Sequence, residues 1–165
     1  MKKWLALLGI LPWVTFAATP EKIVTLGGDV TEIVYALDAG SSLVARDSTS
    51  RWPQAATRLP DVGYLRQLNA EGILSVRPTL VLASAQAQPS LALEQVAQSH
   101  VRVITVPARN TLDVIDEKIR VVAEATHREA QGETLRNTLR AELAALPASP
   151  LNKRVLFILN HGGMT

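Results

Sequence analysis

A tyrosine and an arginine two positions apart, Tyr64 and Arg66, sit in the stretch Leu59-Pro60-Asp61-Val62-Gly63-Tyr64-Leu65-Arg66-Gln67-Leu68-Asn69-Ala70-Glu71-Gly72. A phenol oxygen can bind a hard metal ion once it is deprotonated. A guanidinium holds a permanent positive charge for a carboxylate or a phenolate. Pro60 and Gly63 mark the stretch as irregular chain between regular elements, and loops on a rigid scaffold are where binding residues concentrate. The same pair also suits an ordinary loop aromatic and a solvated cation, so residue types alone leave both readings open.

Other chemistries find less support. There is no Walker-type phosphate loop, and Gly27-Gly28-Asp29 lacks the spacing of a dinucleotide fingerprint. No Gly-x-Ser-x-Gly nucleophile elbow occurs. His100, His127 and His161 are scattered, with no zinc-ligand spacing. His100 falls between a helix and a strand and His127 at a helix junction, and both read as solvated. Asp116-Glu117 beside Lys118 and Arg120 reads as a wet helix face.

The elements that must position the Tyr64 loop follow from the apolar pattern. Lys22–Leu26 reads as a first buried strand, turned at Gly27-Gly28 into a helix over Glu32–Leu37 that Asp29 or Thr31 caps and Gly40 ends. Leu43–Ala45 is a second strand, followed by a polar loop from Arg46 to Trp52, with Pro53 in a first helical turn before Gln54-Ala55-Ala56. Asn69 caps a short helix, Ala70–Ser75, before an apolar strand, Thr79–Ala83. Pro89 opens a helix to about Gln98, and Val101–Val106 is a β-branched strand. Strands alternating with helices imply a parallel α/β sheet, whose strand-end loops share one ligand-holding rim. Gly27-Gly28, Asp47–Arg51, Tyr64 and Ser84–Gln88 all reach that rim in this reading.

Beyond residue 110 the pattern becomes helical. Leu112, Ile115, Ile119 and Val122 form one stripe, and Leu135, Leu139, Leu143 and Leu146 another. Two helices are expected, over 111–125 and 128–146. The second is about 28 Å long at ~1.5 Å per residue, and Pro147 and Pro150 end it. Lys153–Leu159 reads as a further strand with no later partner to pair its backbone, so the sequence reads as cut short.

At the other end, Lys2 and Lys3 precede an apolar run from Trp4 to Phe16 and the small residues Ala17 and Ala18. That is the pattern of a secretory signal, with cleavage after Ala17. The run is too short to span a bilayer, which takes about 20 apolar residues. The signal implies an oxidising compartment, yet no cysteine is present for a disulfide or a lipid anchor. Removing Lys2 and Lys3 accounts for the whole formal charge of +2, so the basic balance gives no nucleic-acid footprint.

Four segments together resemble the periplasmic haem-binding proteins of bacterial ABC importers. They are Leu26–Leu37, the pair Asp47–Pro53 and Leu59–Arg66, and Leu68–Leu80, within a likeness running from about Lys22 to Thr165. The resemblance implies an α/β fold of two lobes joined by a long helix, with the ligand between them. It divides this chain into a signal peptide (1–17), a parallel-sheet N-terminal lobe (18–110), helices including the interlobe connector (111–149) and the first strand of a C-terminal lobe otherwise largely missing (150–165). It implies haem as the transported ligand, with Tyr64 on the iron and Arg66 in contact with the phenolate or a propionate. His161 is implied as a ligand to a second haem. Glu71 is implied as the residue that docks on an inner-membrane ABC permease, in a periplasmic system fed by an outer-membrane haem receptor. Cobalamin or a ferric siderophore is the alternative ligand within the same fold. A fragment of a secreted α/β enzyme is the alternative from another class.

Overall fold

The computed structural model describes residues 20–147 and 153–157. The expected signal and His161 lie outside the described residues. Four strands, β1 (Ile23–Leu26), β2 (Leu43–Arg46), β3 (Leu80–Ser84) and β4 (Arg102–Val106), form one sheet in the order β2-β1-β3-β4, and every pairing is parallel. Helices α1 (Gly28–Ala36), α2 (Ala70–Ser75), α3 (Ser90–Gln98), α4 (Asp113–Ala125) and α5 (Glu129–Ala144) accompany it. This is the α/β parallel sheet that the alternation of elements predicts.

The central strands β1 and β3 are buried on both faces, which is why they are near-continuous apolar runs, whereas the edge strands β2 and β4 are partly exposed. Ile23, Leu80 and Leu82 point to one face and pack with Val30 and Val34 of α1 and Ile119 and Val122 of α4. Val24, Leu26, Val81 and Ala83, their neighbours in sequence, point to the other. There they pack with Ile73 of α2, Ala92 and Val96 of α3, and three loop residues, Val62, Leu65 and Leu68. The loop that carries Tyr64 is therefore part of the second core.

Several boundaries differ from the sequence expectation for physical reasons. Helix α1 starts at Gly28, a turn earlier than expected, and neither Asp29 nor Thr31 caps it. Thr31 is buried instead, its hydroxyl 2.7 Å from both the Thr25 and Ser50 hydroxyl oxygens. Gly40 does not end the helix; Leu37 does, and Gly40 opens a short 3-10 turn. Pro53 precedes the 3-10 turn Gln54–Arg58 rather than lying inside it. Asn69 caps α2 as expected, its side chain accepting from the Glu71 N–H at 2.7 Å. Asp38, Arg77, His100 and His127 take positive φ just past the ends of α1, α2, α3 and α4, each at the left-handed position that closes a helix. His100 and His127 are exposed.

Helix α5 is two residues shorter than expected at its C-terminal side. Leu135 and Leu139 pack against the first core, whereas Leu143 and Leu146 are exposed. The expected strand over Lys153–Leu159 is not formed across 153–157. Those residues have no regular secondary structure, Val155, Leu156 and Phe157 are exposed, and among the described residues no strand lies beside them. Among the described residues no helix is long and apolar enough to cross a membrane.

Candidate functional site

In the order β2-β1-β3-β4, the connection from β1 runs to one side of the sheet and that from β3 to the other. The carboxyl ends of β1 and β3 therefore diverge, and open parallel sheets hold ligands in the crevice at that point. A cleft of about 340 Å³ lies there. Gly27, Gly28 and Asp29 line it from the end of β1, Ser84 and Gln86 from the end of β3, and Thr49 from the loop after β2. Tyr64 and Arg66 form one wall, and Arg109 and Lys118 another.

The Tyr64 loop has no regular secondary structure but is held at many points. Val62, Leu65 and Leu68 are buried in the second core. The Gly63 carbonyl accepts from the Ser48 N–H at 2.9 Å, the Leu65 carbonyl from the Gln88 N–H at 2.8 Å, and the Gln88 carbonyl from the Leu68 N–H at 2.9 Å. Gly63 has φ 109, a conformation that residues with a Cβ avoid. Between these anchors Tyr64 remains 42% exposed, and Arg66 is exposed beside it. Among the described residues no ion pair engages Arg66. Burial of the alternate residue and exposure of its neighbours is what presents the phenol and the guanidinium to the cleft.

The floor is fixed by a carboxylate from another loop. Asp47 is fully buried. Its Oδ1 accepts from the Gly27 N–H at 2.9 Å and the Ser50 hydroxyl at 2.6 Å, and its Oδ2 from the Thr49 N–H at 3.0 Å and the Thr49 hydroxyl at 2.6 Å. Four donors compensate the loss of hydration that a buried carboxylate suffers. The turn that starts α1 thus takes its polar partner from twenty residues away. Gly27 has φ 126, and a Cβ there would meet the Ser84 Cβ at 3.0 Å, so the close approach of the β1 and β3 ends requires glycine.

The far wall is charged. Lys118 Nζ on α4 pairs with the Asp29 carboxylate on α1. Arg109 donates to Glu117 at 2.6 Å and to Asp113 at 3.2 Å. The Glu117 hydrogen bond, then that of Asp113, raises the Arg109 pKa above its ordinary value. Asp113 is held below the usual carboxylate range by the Thr111 hydroxyl first and by Arg109 next. These are surface pairs that orient the cations at the rim; surface ion pairs add little to folding.

Each of the four rim segments expected from the sequence reaches the cleft, but Asp47–Arg51 and Ser84–Gln88 do so only in part. Gly27-Gly28, Tyr64, Ser84 and Gln86 line the cleft, and so does Thr49, but Arg51 does not. Arg66 lies beside Tyr64 as expected. Glu71 is exposed in the first turn of α2, outside the cleft lining. Lys118 went unnoticed as a cleft residue because its partner is tertiary, Asp29 across 89 positions of sequence, and Arg109 because only the fold brings the stretch after β4 to the rim. Asp116 corrects the reading of a wet helix face. Arg136 and Arg140 of α5 hold it, which ties α4 to α5.

Comparison with known proteins agrees with this fold. The family described as periplasmic binding protein matches residues 23–158. A vitamin B12-binding protein of Pectobacterium carotovorum subsp. carotovorum is 30% identical over 140 residues, covering 85% of this chain and 50% of that protein. The periplasmic heme-binding protein RhuT from Roseiflexus sp. RS-1, in apo form, superposes with a TM-score of 0.75 and 41% identity over 77% of this chain and 49% of that one. The periplasmic heme-binding protein BhuT in complex with two hemes gives 0.74 and 38%, over 87% and 58%. The chain spans about half the length of these relatives, and the region it matches is a parallel-sheet lobe. The relatives are binding proteins rather than enzymes.

Proposed function

Because the chain belongs to the periplasmic binding protein family, we propose that it binds haem in the periplasm and passes it to an inner-membrane ABC permease. The observation that carries this reading is the phenol of Tyr64, presented at the switch-point cleft beside the exposed cation of Arg66. A ferric centre favours the phenolate form of tyrosine, since a bound cation inverts the ordinary acid–base preference. Tyrosinate is one of the axial ligand types that hold haem iron. Arg66 then neutralises the phenolate or a propionate by a charge-assisted hydrogen bond. The cations of Arg109 and Lys118 stand across the same cleft, where haem carboxylates find partners.

The residues present fit such a ligand. The cleft lining holds the Tyr64 phenol, the Asp29 carboxylate, Leu65 and three cations, of which Lys118 and Arg109 are already in ion pairs and Arg66 is in none among the described residues. Glu71, at the start of α2, lies where each crossover helix begins, on the side of the strand ends, and in this reading it meets the permease. His161 serves as the second iron ligand where two haems are carried; it lies outside the described residues. An outer-membrane haem receptor supplies the ligand upstream.

A cobalamin reading has its own support in the vitamin B12-binding relative. Offering ferric haem, cobalamin and a ferric siderophore in competition separates the readings. Haem is expected to displace the other two and not to be displaced by them. Preferential retention of cobalamin would overturn the haem assignment while leaving the family unchanged.

A further inference from the structure

The Tyr64 loop is stapled to the end of β2 by a second carboxylate, that of Asp61. The Arg46 and Asp61 backbones pair in parallel, the Arg46 N–H donating to the Pro60 carbonyl and the Val62 N–H to the Arg46 carbonyl, both at 3.0 Å. Asp61 Oδ1 accepts from the Ser48 hydroxyl and from the Gly63 N–H, each at 2.9 Å. Asp61 Oδ2 accepts from Arg46 Nη1 at 2.7 Å. Arg46 Nη1 also donates to the Asp47 carbonyl at 3.0 Å, so the guanidinium is itself oriented. The Gly63 N–H that Asp61 holds belongs to the residue before Tyr64, and its φ of 109 sets the direction in which the chain enters Tyr64.

The arrangement does more than hold the fold together. The Asp61 side chain is 41% exposed and that of Arg46 13%, so their ion pair is part-buried, but the Ser48 hydroxyl and the Gly63 N–H sit on the other carboxylate oxygen, outside that pair. The buried anchors Val62 and Leu65 already hold the loop to the core. What they leave free is the orientation of the peptide between them, and that is the peptide Asp61 grips.

We infer that Asp61 is a positioning residue: through Gly63, Ser48 and Arg46 it aims the Tyr64 phenolate at the ligand iron. The inference rests on the reading of Tyr64 as the iron ligand. Groups that orient a metal ligand characteristically change affinity about 10- to 100-fold when removed, and a ligand held loosely binds in more than one geometry.

Asp61→Asn tests it with ferric haem as the probe. The amide keeps the volume but cannot accept from both Arg46 and the Ser48–Gly63 pair. The expected result is about a tenfold loss of haem affinity, with the tyrosinate-to-iron signature in absorbance and resonance Raman spectra broadened or split. Circular dichroism should match the parent protein, and so should the thermal midpoint of Ser48→Ala, which keeps the part-buried Arg46 pair. Ser48→Ala, which removes one donor and leaves the ion pair, should show the same spectral change to a smaller extent. If both variants bind with the parent's affinity and spectrum while Tyr64→Phe loses both, Asp61 has no positioning role. A loss of affinity that follows a lowered thermal midpoint in Asp61→Asn, with Ser48→Ala unchanged, also overturns it in favour of a purely structural role. A Tyr64→Phe variant that retains the parent's affinity and spectrum removes the iron-ligand reading itself, a failure distinct from the other two.

Discussion

The Tyr64 loop and the C-terminal half of helix α5 make an instructive pair. The loop is irregular, yet its backbone is pinned by Arg46 and Ser48 on one side and Gln88 on the other, and its apolar side chains Val62, Leu65 and Leu68 are buried. The end of α5 is regular helix, yet Leu143 on it and Leu146 just beyond it are exposed, and the ion pairs to α4 come from Arg136 and Arg140 with Asp116. Regular hydrogen bonding within a helix does not fix where that helix sits. Tertiary anchors do, and they are concentrated on the loop that carries the candidate ligand.

The comparison breaks most sharply at the apolar anchors. Leu65→Ala removes a buried side chain from under Tyr64 and should cost about 3 kcal/mol in urea unfolding. A cost of under about 1 kcal/mol would mean that the core does not hold the loop. Acid should act on the other region. The Arg136 hydrogen bond, with the charges of Arg136 and Arg140, holds the Asp116 carboxyl below its usual range against the opposing effect of burial. A depressed folded-state pKa adds stability that is fully present above the ordinary carboxylate range and lost as pH falls through the lower folded value. Asp116→Asn should therefore flatten the acid limb of stability, read as thermal midpoint against pH, and leave the shape near neutrality unchanged. The smallest effect belongs to Leu146→Ala, expected to shift stability by less than about 0.5 kcal/mol because the side chain is already exposed.

The layered part of this fold was legible in the sequence because it depends on local pattern. The runs at Ile23–Leu26, Leu80–Ser84 and Arg102–Val106 are β-rich and bounded by turn residues, and Asn69 caps α2 by a contact two residues away. The rim was legible as well, since a parallel sheet places its strand ends together. The parts that stayed hidden rest on contacts distant in sequence. Asp47 holds the Gly27 N–H from twenty positions on, which is why α1 starts without a side-chain cap of its own. Asp61 carries no local signal of its role, because its side-chain partners Arg46 and Ser48 lie 15 and 13 positions away. The Lys118–Asp29 pair joins two helices that no periodicity links. The stripe on α5 was read correctly as apolar, but a stripe cannot say how far along a helix its partner extends.

The measurement that bears most directly on the central claim is ferric haem titration of the parent protein against Tyr64→Phe, followed by absorbance and resonance Raman spectra. Phenylalanine keeps the ring and removes the one side-chain oxygen that residue 64 brings to the cleft lining. The account predicts loss of the tyrosinate-to-iron signature and a fall in affinity of more than about tenfold, equivalent to about 1.4 kcal/mol. Equal affinity and an unchanged spectrum would contradict it.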